Sequence, residues 1–353
     1  MSSHGAAILL RSVGAIYGVA MSLRNRLYDR GLFKSWRSPI PVVSVGNITT
    51  GGTGKTPLVD WIVKFYAASG IATAIVSRGY GRRTKGVQLV SDGRRQLLGS
   101  RDAGDETTML AARNPAAIVI VAETRAEGVR FLMREFAGRL PGVIVLDDAF
   151  QHRKIARDLD IVVVNASAPR ELDAMLPAGR LREPLRGLRR ANLIILSKIT
   201  DETQADKLLG QLEQFGKPVL RSRIKPGKLM KVDGTQNGAI APVMQTLAFA
   251  GIGAPTGFLH SLEAVGVEIG GTRFFRDHAP YTEAAVRAIV AESIQKRLVP
   301  VTTEKDWHRI ADDPSLAGML AEAGCRYLPI EPEFISGTAE LEKRLLAVVK
   351  RWA

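Results

Sequence analysis

Short apolar runs alternate with amphipathic segments through most of this 353-residue chain. A run of β-branched and aliphatic residues that ends at turn residues is typical of a strand covered on both faces of its sheet. Between residues 40 and 222 the predicted strands are 41–45, 72–77, 87–90, 117–121, 143–147, 160–165 and 192–198. Because helical patterns separate them, they predict an α/β fold with a mostly parallel, doubly wound sheet.

Turn-forming and basic residues at 224–228 predict a boundary in the chain. We therefore expect an N-terminal amphipathic helix within residues 1–35, a larger α/β domain over 36–224 and a smaller α/β domain over 225–353. The predicted elements of the smaller domain are strands at 246–253, 267–274 and 299–302 and helices at 255–265, 282–297 and 338–352.

Residues 5–30 repeat apolar side chains at helical spacing from Leu9 to Leu27, with arginines along the border. The longest uncharged run, residues 12–23, is too short to span a bilayer. No small-residue cleavage site follows, so a signal peptide fits poorly. A basic amphipathic helix either lies on an anionic membrane surface or packs on the protein's own core, and the sequence leaves both open.

The composition is that of an ordinary globular protein, with 46% hydrophobic and 24% charged residues. A formal net charge of +14 suits an anionic partner such as a nucleic acid, an acidic membrane or a phosphorylated substrate. The single cysteine, Cys325, excludes an intrachain disulfide. Cysteine and histidine do not occur together at zinc-ligand spacing.

A glycine-rich segment lies between the strand at 41–45 and a predicted helix that starts near Pro57. Strand, glycine-rich turn, Lys-Thr and helix form the context of a phosphate-binding loop, whose backbone N–H groups surround phosphate oxygens. Thr49 departs from the pattern, which usually has glycine there. The predicted ATP-binding residues are Thr49, Thr50, Gly51, Gly52, Thr53, Gly54, Lys55 and Thr56.

A second motif supports nucleotide binding. The apolar strand 143–147 ends in Asp147 and Asp148, which is the Walker B arrangement that delivers a carboxylate beside the phosphate loop. Such a carboxylate holds Mg²⁺ directly or through water. Gln151 and His152 follow within reach of a triphosphate.

Further charged residues lie at predicted strand ends and helix starts. Asp105 and Glu106 open a helix, where acids either stabilise the N-terminus or act as a general base beside a phosphate site. The arginine-rich segment 176–190, which contains Glu183, suits phosphate contacts. His278 precedes a helix and would face this site only across a cleft between the two domains.

Seven segments in this order resemble one family: 45–57, 77–83, 104–106, 147–153, 176–184, 277–278 and 302–306. The chain resembles the tetraacyldisaccharide 4′-kinases of lipid A biosynthesis over nearly its full length. The resemblance implies transfer of the γ-phosphate of ATP to the 4′-hydroxyl of a tetraacyldisaccharide 1-phosphate. It also implies a peripheral enzyme on the cytoplasmic face of a Gram-negative inner membrane. Thr107 and Ala149 depart from the family pattern, which commonly has proline and glycine there.

From this resemblance and the physics of phosphoryl transfer we expect specific roles. Asp105 accepts the proton of the sugar hydroxyl, with His278 bonded to it once the domains close, and Lys55 holds the β- and γ-phosphates. Magnesium ligands are expected among Thr56, Asp147, Asp148 and Glu183, and substrate contacts from Glu106, Arg125, Gln151, His152 and Arg182. The expected partners are the acylated disaccharide phosphate and an anionic inner-membrane surface, with no nucleic acid and no obligate protein partner.

Two other functions fit the sequence less well. A regulatory or partitioning ATPase has a similar loop, but it requires a lysine at the position of Thr50. A nucleic-acid binder is suggested by the charge alone, and the chain has no aromatic-rich RNA-binding motif. The segment 197–201 lacks the asparagine of the guanine-reading motif and has one residue too many, which argues against GTP.

Overall fold

The computed structural model describes residues 3–232 and 245–352. Its strands are β1 Val42–Asn47, β2 Thr73–Ser77, β3 Gln88–Asp92, β4 Ile118–Val121, β5 Val143–Asp147, β6 Leu159–Asn165, β7 Leu193–Ser197, β8 Val219–Pro226, β9 Met230–Lys231, β10 Gln245–Ala250, β11 Glu268–Phe274, β12 Val299–Thr303, β13 Arg326–Leu328 and β14 Ile330–Ser336. Its helices are α1 Ser3–Asp29, α2 Lys55–Ala68, α3 Ser100–Ala103, α4 Asp105–Arg113, α5 Arg125–Glu135, α6 Glu202–Glu213, α7 Pro255–Ala264, α8 Glu283–Lys296, α9 Glu304–Ala311, α10 Pro314–Glu322 and α11 Thr338–Lys350, with short 3-10 turns at Pro169–Leu172 and Leu185–Arg190.

Nine strands form the larger sheet in the order β14-β8-β7-β6-β1-β5-β2-β4-β3. The seven strands from β8 to β4 are parallel, and β14 and β3 are antiparallel edges. Alternate residues of β1 face opposite layers, because Val43 packs with Leu58 of α2 whereas Val42 packs with Val129 of α5. Both faces of the central strands are therefore buried, which confirms the predicted doubly wound sheet. The carboxyl ends of β1, β2 and β5 meet at one edge, where ligands bind in such sheets.

A second sheet of five strands has the order β11-β10-β12-β13-β9. Strands β10 to β13 are parallel, and the short β9 is antiparallel to β13. One face is covered by α8, α9 and α10 through Val286, Ile310 and Leu320, and the other by α7 through Phe258 and Leu262. This is the predicted smaller α/β unit.

The predicted range of the smaller domain, 225–353, needs a correction at its end. Strand β14 pairs antiparallel with β8 of the larger sheet, and Phe334 contacts the Trp61 ring edge-on with 5.1 Å between ring centroids. Leu341 and Leu345 of α11 belong to the core cluster that surrounds β1. The chain therefore returns to the larger sheet, because the apolar face of α11 fits there. Residues 1–2, 233–244 and 353 of the predicted ranges lie outside the described residues.

Helix α1 has two different faces. Gly14, Gly18 and Ser22 are buried against the protein, whereas Ile16 and Val19 are each 70% exposed. The apolar stripe of the sequence is thus largely exposed, and the helix docks instead through small residues. Within the described parts of the chain, no helix combines the length and apolarity needed to cross a bilayer.

The two sheets meet through helices α4 and α9. Arg113 of α4 donates to Asp60 of α2 at 2.9 Å and to Glu304 of α9 at 2.8 Å. Asn114 donates to the other oxygen of Asp60 at 2.8 Å. These buried groups link the helix that follows the phosphate loop to the smaller domain.

Candidate active site

The phosphate loop connects β1 to α2. Gly54 has φ = 88° at the helix N-cap, a left-handed conformation that glycine adopts without a steric cost. Ser197 donates to the carbonyl of Thr53 at 2.6 Å, and Lys198 donates to the carbonyl of Gly52 at 2.5 Å. The last residue of β7 and the residue after it therefore fix the direction of two peptide units in the loop. The N–H groups at the start of α2 are left to bind an anion.

The arginine-rich segment lies against the start of this loop. The N–H of Thr50 donates to the carbonyl of Arg180 at 2.8 Å, and the N–H of Arg182 donates to the carbonyl of Ile48 at 2.8 Å. Thr49, which departs from the glycine of the usual motif, is 3% exposed and forms a β-bridge with Leu181. The segment and the phosphate loop therefore form one surface.

Asp147 at the end of β5 is a buried carboxylate. Its Oδ2 accepts a hydrogen bond from Ser77 at the end of β2 at 2.9 Å, and its Oδ1 is buried without a partner among the described residues. Burial, together with the nearby charges of Glu106 and Asp148, raises the pKa of Asp147 to about 6. An unpaired buried oxygen in a negatively charged setting suits a hard cation, so these residues fit Mg²⁺.

Asp148, the first residue after β5, differs from Asp147 in its surroundings. Arg182 donates to both of its oxygens at 2.9 and 3.0 Å, and the Nζ of Lys55 lies 3.6 Å from Oδ1. Burial raises the pKa of Asp148, but Lys55 and Arg182 outweigh burial and hold it well below its usual range. Asp148 is therefore an ionised carboxylate that holds the two cations expected to contact phosphate.

Arg125, which the sequence predicts to contact substrate, is 1% exposed and instead contacts backbone carbonyls. Its guanidinium donates to the backbone carbonyls of Asp147 at 2.7 Å, of Asp148 at 3.2 Å and of Ala122 at 3.2 Å. Burial lowers the pKa of Arg125 to about 10. In this structure it holds the turn that carries the two aspartates, because buried carbonyls need donors.

Glu183, predicted to be a metal ligand, is fully buried. Its carboxylate accepts hydrogen bonds from Asn25 at 2.7 Å, Gln151 at 2.9 Å and Arg190 at 3.0 Å. Gln151 also donates to the carbonyl of Asn47 at 2.9 Å. Both carboxylate oxygens of Glu183 are occupied, so the group fixes α1 and the arginine-rich segment to the site instead of facing it. Among the described residues, the acidic side chains form no cluster of three that could hold a metal.

His152 lines a cavity of about 210 Å³ with Arg24, Glu123, Arg153 and Lys154. Burial first, and then the charge of Arg125, lowers the pKa of His152 to about 3, so its ring is neutral at physiological pH. The cavity lies between α1 and the start of α5 and is mainly basic. It can accept an anionic group.

Asp105 and His278 come together from the two domains. Asp105 opens α4 and is 8% exposed, and the Nδ1 of His278 lies 3.1 Å from its Oδ2. Arg309 of α9 donates to the same oxygen through two nitrogens, at 2.9 and 2.6 Å. Burial raises the pKa of Asp105, but the bonds from His278 and Arg309 outweigh burial, so the pKa lies below its ordinary value.

Glu106 connects this pair to the phosphate loop. Its Oε2 accepts a hydrogen bond from Thr56 at 3.3 Å, and its Oε1 accepts one from Lys305 of α9 at 3.1 Å. The Nζ of Lys305 is also 3.4 Å from the Nε2 of His278. The Asp105–His278 pair therefore lies beside the phosphate loop, on the side of the smaller domain.

Sequence analysis missed Ser77, Lys305 and Arg309 as site residues. The first two lie inside the family segments 77–83 and 302–306, so their position was a usable signal. Lys305 and Arg309 are four residues apart on α9 and share one helix face. That spacing could have indicated Arg309, but its partner Asp105 is 204 residues away along the chain.

A phosphate loop, a Walker B aspartate and a carboxylate–histidine pair beside them define a P-loop phosphotransferase. The chain matches the family "LpxK: Tetraacyldisaccharide-1-P 4'-kinase" over residues 6–350 and belongs to that family. Its members are ATP-dependent kinases of lipid A biosynthesis that phosphorylate an alcohol group.

Relatives named "Tetraacyldisaccharide 4'-kinase" include one from Chlorobaculum parvum, which is 76% identical over 99% of this chain and 97% of its own length. Another, from Chlorobium phaeovibrioides, is 52% identical over 99% of this chain and 100% of its own length. A crystal structure described as the "apo" form of LpxK from Aquifex aeolicus in complex with ATP is 28% identical, with a TM-score of 0.75. It covers 96% of this chain and 98% of its own.

Proposed function

We propose that this kinase transfers the γ-phosphate of ATP to the 4′-hydroxyl of an acylated disaccharide 1-phosphate, with Asp105 as the general base. The observation that carries this assignment is the 3.1 Å contact between Asp105 and His278, beside a phosphate loop that Glu106 reaches through Thr56. A carboxylate in this position removes the hydroxyl proton as the acceptor oxygen bonds to the γ-phosphorus, while the bond from that phosphorus to the β–γ bridging oxygen breaks and ADP leaves. His278 keeps the carboxylate in place for that step.

Lys55 and the loop N–H groups bind the β- and γ-phosphates and stabilise the charge that they carry in the transition state. Thr56 and Asp147 would hold Mg²⁺, since the free Oδ1 of Asp147 and the Thr56 hydroxyl are oxygen donors of the kind that ion prefers. A bound Mg²⁺ would neutralise negative charge on the phosphate oxygens. Asp148 acts through Lys55 and Arg182, which it holds by ion pairs.

The acceptor is proposed to lie over the basic cavity beside α1. Arg24, Arg153 and Lys154 line this cavity with His152 and suit the phosphate of the disaccharide. The exposed apolar face of α1 would lie in the cytoplasmic face of an anionic inner membrane, next to the acyl chains. The helix thus brings the lipid and the phosphate loop together.

The direct test mixes the purified protein, γ-labelled Mg·ATP and the acylated disaccharide 1-phosphate in detergent micelles. We expect label on the glycolipid, and we expect Lys55→Met to lower turnover roughly 10²–10³-fold because it removes a preorganised cation. Lys64→Met, on the same helix but 46% exposed, is the matched control. ATP hydrolysis that ignores the glycolipid and leaves it unlabelled would instead favour the regulatory ATPase.

The membrane assignment has its own test. Ile16→Asp should reduce flotation of the protein with anionic phospholipid vesicles, since it puts a charge on the proposed membrane face. Ile294→Asp changes an isoleucine that is also 70% exposed, but on α8 of the smaller domain, and should have no effect. Equal losses for both variants would argue against α1 as the membrane contact.

A further inference from the structure

Arg309 is a buried arginine that reaches the proposed base from the smaller domain. Its side chain is 9% exposed. One nitrogen of its guanidinium, Nη1, donates to the carbonyls of Gly251 at 3.4 Å and Ala279 at 3.2 Å and to Asp306 at 3.2 Å. Asp306 in turn is held by the N–H of Gly251 at 3.0 Å. The guanidinium is therefore fixed by its own domain, with its other edge turned to Asp105.

The hydrogen bonds that Asp105 accepts from the described side chains all go to one of its two carboxylate oxygens. The Nδ1 of His278 and the Nε and Nη2 of Arg309 all contact Oδ2, at 3.1, 2.9 and 2.6 Å. Oδ1 accepts no hydrogen bond from the described residues, and this oxygen is accessible to solvent. The carboxylate is thus held at one oxygen and open at the other.

We propose that Arg309 is a positioning residue for phosphoryl transfer: it turns Oδ1 of Asp105 toward the acceptor hydroxyl and assembles the base only when the two domains are in contact. This inference depends on the proposed function, in which Asp105 is the base. Proton transfer would go from the sugar hydroxyl to Oδ1, while Oδ2 stays bonded to Arg309 and His278. Arg309 does not touch the reacting atoms.

The same arginine also holds the loop that carries His278. Its bond to the carbonyl of Ala279 lies one residue beyond the histidine, whose own N–H donates to the carbonyl of Gly251 at 3.2 Å. His278 has φ = 59°, a left-handed conformation that a residue with a Cβ adopts only when its surroundings hold it. Arg309 therefore orders both members of the pair.

An arginine suits this task better than a lysine. The planar guanidinium donates from one edge to Asp105 and from another nitrogen to the loop carbonyls at the same time, whereas a lysine amine is a single point on a flexible chain. A lysine at position 309 would keep the charge and lose this geometry. The contribution of the positive charge and that of the guanidinium geometry can thus be separated by comparing Arg309→Lys with Arg309→Ala.

The groups that face Asp105 set the sign of the pH effect. They are Arg309, Lys305 and His308 on α9, His278 in the loop before α8, and Glu106 beside it on α4. Burial raises the pKa of Asp105, and Arg309 is one of the groups that oppose burial. Without Arg309 the pKa of Asp105 should rise, so a larger share of the base is protonated in weakly acidic solution.

The experiment measures glycolipid phosphorylation by the full-length protein and by Arg309→Ala and Arg309→Lys between pH 4 and 8. For Arg309→Ala we expect kcat to fall roughly 10²-fold, as for a misplaced catalytic group, with little change in the KM for ATP. Its activity should also begin to fall at a higher pH than that of the wild type. Arg309→Lys should restore the pH profile toward that of the wild type but only part of kcat.

Two further variants decide between positioning and a merely structural role. Arg309→Ala should cause no additional loss in an Asp105→Asn background, because both changes remove the same function. Arg273→Ala, which breaks the Arg273–Glu292 ion pair of the smaller domain, is the control and should leave kcat and the pH profile unchanged. Should Arg309→Ala fail to fold, Arg309→Lys alone supplies the test.

The inference is overturned if Arg309→Ala keeps wild-type turnover, if its activity falls without any shift of the acid side of the profile, or if its loss adds fully to that of Asp105→Asn. The proposed function fails separately, if Asp105→Asn itself keeps near-normal turnover. A protein that needs Asp105 and tolerates Arg309→Ala would disprove this inference alone.

Discussion

Asp147 and Asp105 are both buried carboxylates at the candidate active site, and they differ in the groups that surround them. The hydrogen bond that Asp147 accepts comes from Ser77 within the larger sheet, and its pKa is raised to about 6 by burial and neighbouring acids. Asp105 receives its bonds from His278 and Arg309 of the smaller domain, and its pKa is lowered. When their surroundings move the pKa values of two carboxylates apart, the two groups suit different roles, here the proposed metal ligand for Asp147 and the proposed base for Asp105.

The candidate site therefore has two halves, one around the phosphate loop and one around Asp105, which depend on the fold in different ways. The proposed nucleotide half lies within the larger domain, where β1, β2 and β5 deliver its residues at one sheet edge. The half that holds the proposed base includes contacts between α4 and α9, where Arg309 donates to Asp105. Variants that act on one half should leave the other largely intact.

The largest effect is expected from Asp105→Asn, which removes the proposed base. Turnover should fall by roughly 10²–10⁴-fold, the range for general base catalysis, while ATP binding measured by equilibrium dialysis stays near that of the wild type. Asp102→Asn, on the preceding short helix α3, is the control. Loss of ATP binding in Asp105→Asn would show that the two halves are not independent.

Arg113→Met tests the contact between the domains. It removes the cation between Asp60 and Glu304 and leaves buried carboxylates without it, so we expect the free energy of unfolding to fall by about 3–5 kcal/mol. Turnover should fall with it, because Asp105 loses its partners from α9. Chemical denaturation and the kinase assay measure the two quantities.

The control for Arg113→Met is Arg134→Met, whose ion pair with Glu135 is largely exposed. It should change the free energy of unfolding by no more than about 0.5 kcal/mol. Similar small changes for both variants would contradict a role for Arg113 in joining the domains.

Ser77→Ala acts on the nucleotide half alone. Without the hydrogen bond to Oδ2, Asp147 is less well oriented, and we expect half-maximal turnover to require roughly 10–100-fold more Mg²⁺. Titration of Mg²⁺ at constant ATP measures this change. Ser222→Ala, a buried serine on β8, should leave the titration curve unchanged. An unchanged curve for Ser77→Ala would count against Asp147 as a metal ligand.

The smallest effect concerns His152 and pH. Burial lowers the pKa of His152 to about 3 in the folded protein, against an ordinary value of 6.5. Between these values the unfolded chain binds a proton that the folded protein does not. The free energy of unfolding therefore decreases as the pH falls from 6.5 toward 3, by at most about 1.4 kcal/mol per pH unit from this group.

His152→Gln should remove this part of the acid sensitivity in urea denaturation curves recorded between pH 7 and 4. His260→Gln, which changes an exposed histidine of α7, serves as the control. If the pH dependence of His152→Gln matches that of the wild type, His152 does not carry this proton linkage.

Much of the fold followed from local patterns. The strands near 42–47, 73–77 and 143–147 were predicted within one or two residues, because buried parallel strands are continuous apolar runs. The return of β14 and α11 to the larger sheet was not predicted, since an amphipathic segment does not specify which of two sheets it covers. The same limit applies to Arg125 and Glu183, because the local sequence of a buried charge resembles that of an exposed one.

The sequence by itself predicted the phosphate loop of the candidate site, because its glycines, Lys55 and Thr56 lie within the six residues 51–56 and such a loop is recognised from local spacing. Only the tertiary structure decided which groups surround Asp105, because His278 and Arg309 lie 173 and 204 residues away along the chain. It also decided that Arg125 and Glu183 stabilise the segments around the site. Both are buried, so Arg125 donates to backbone carbonyls and Glu183 accepts hydrogen bonds from neighbouring side chains. Contacts at such separations depend on how the two sheets pack, which local spacing does not encode.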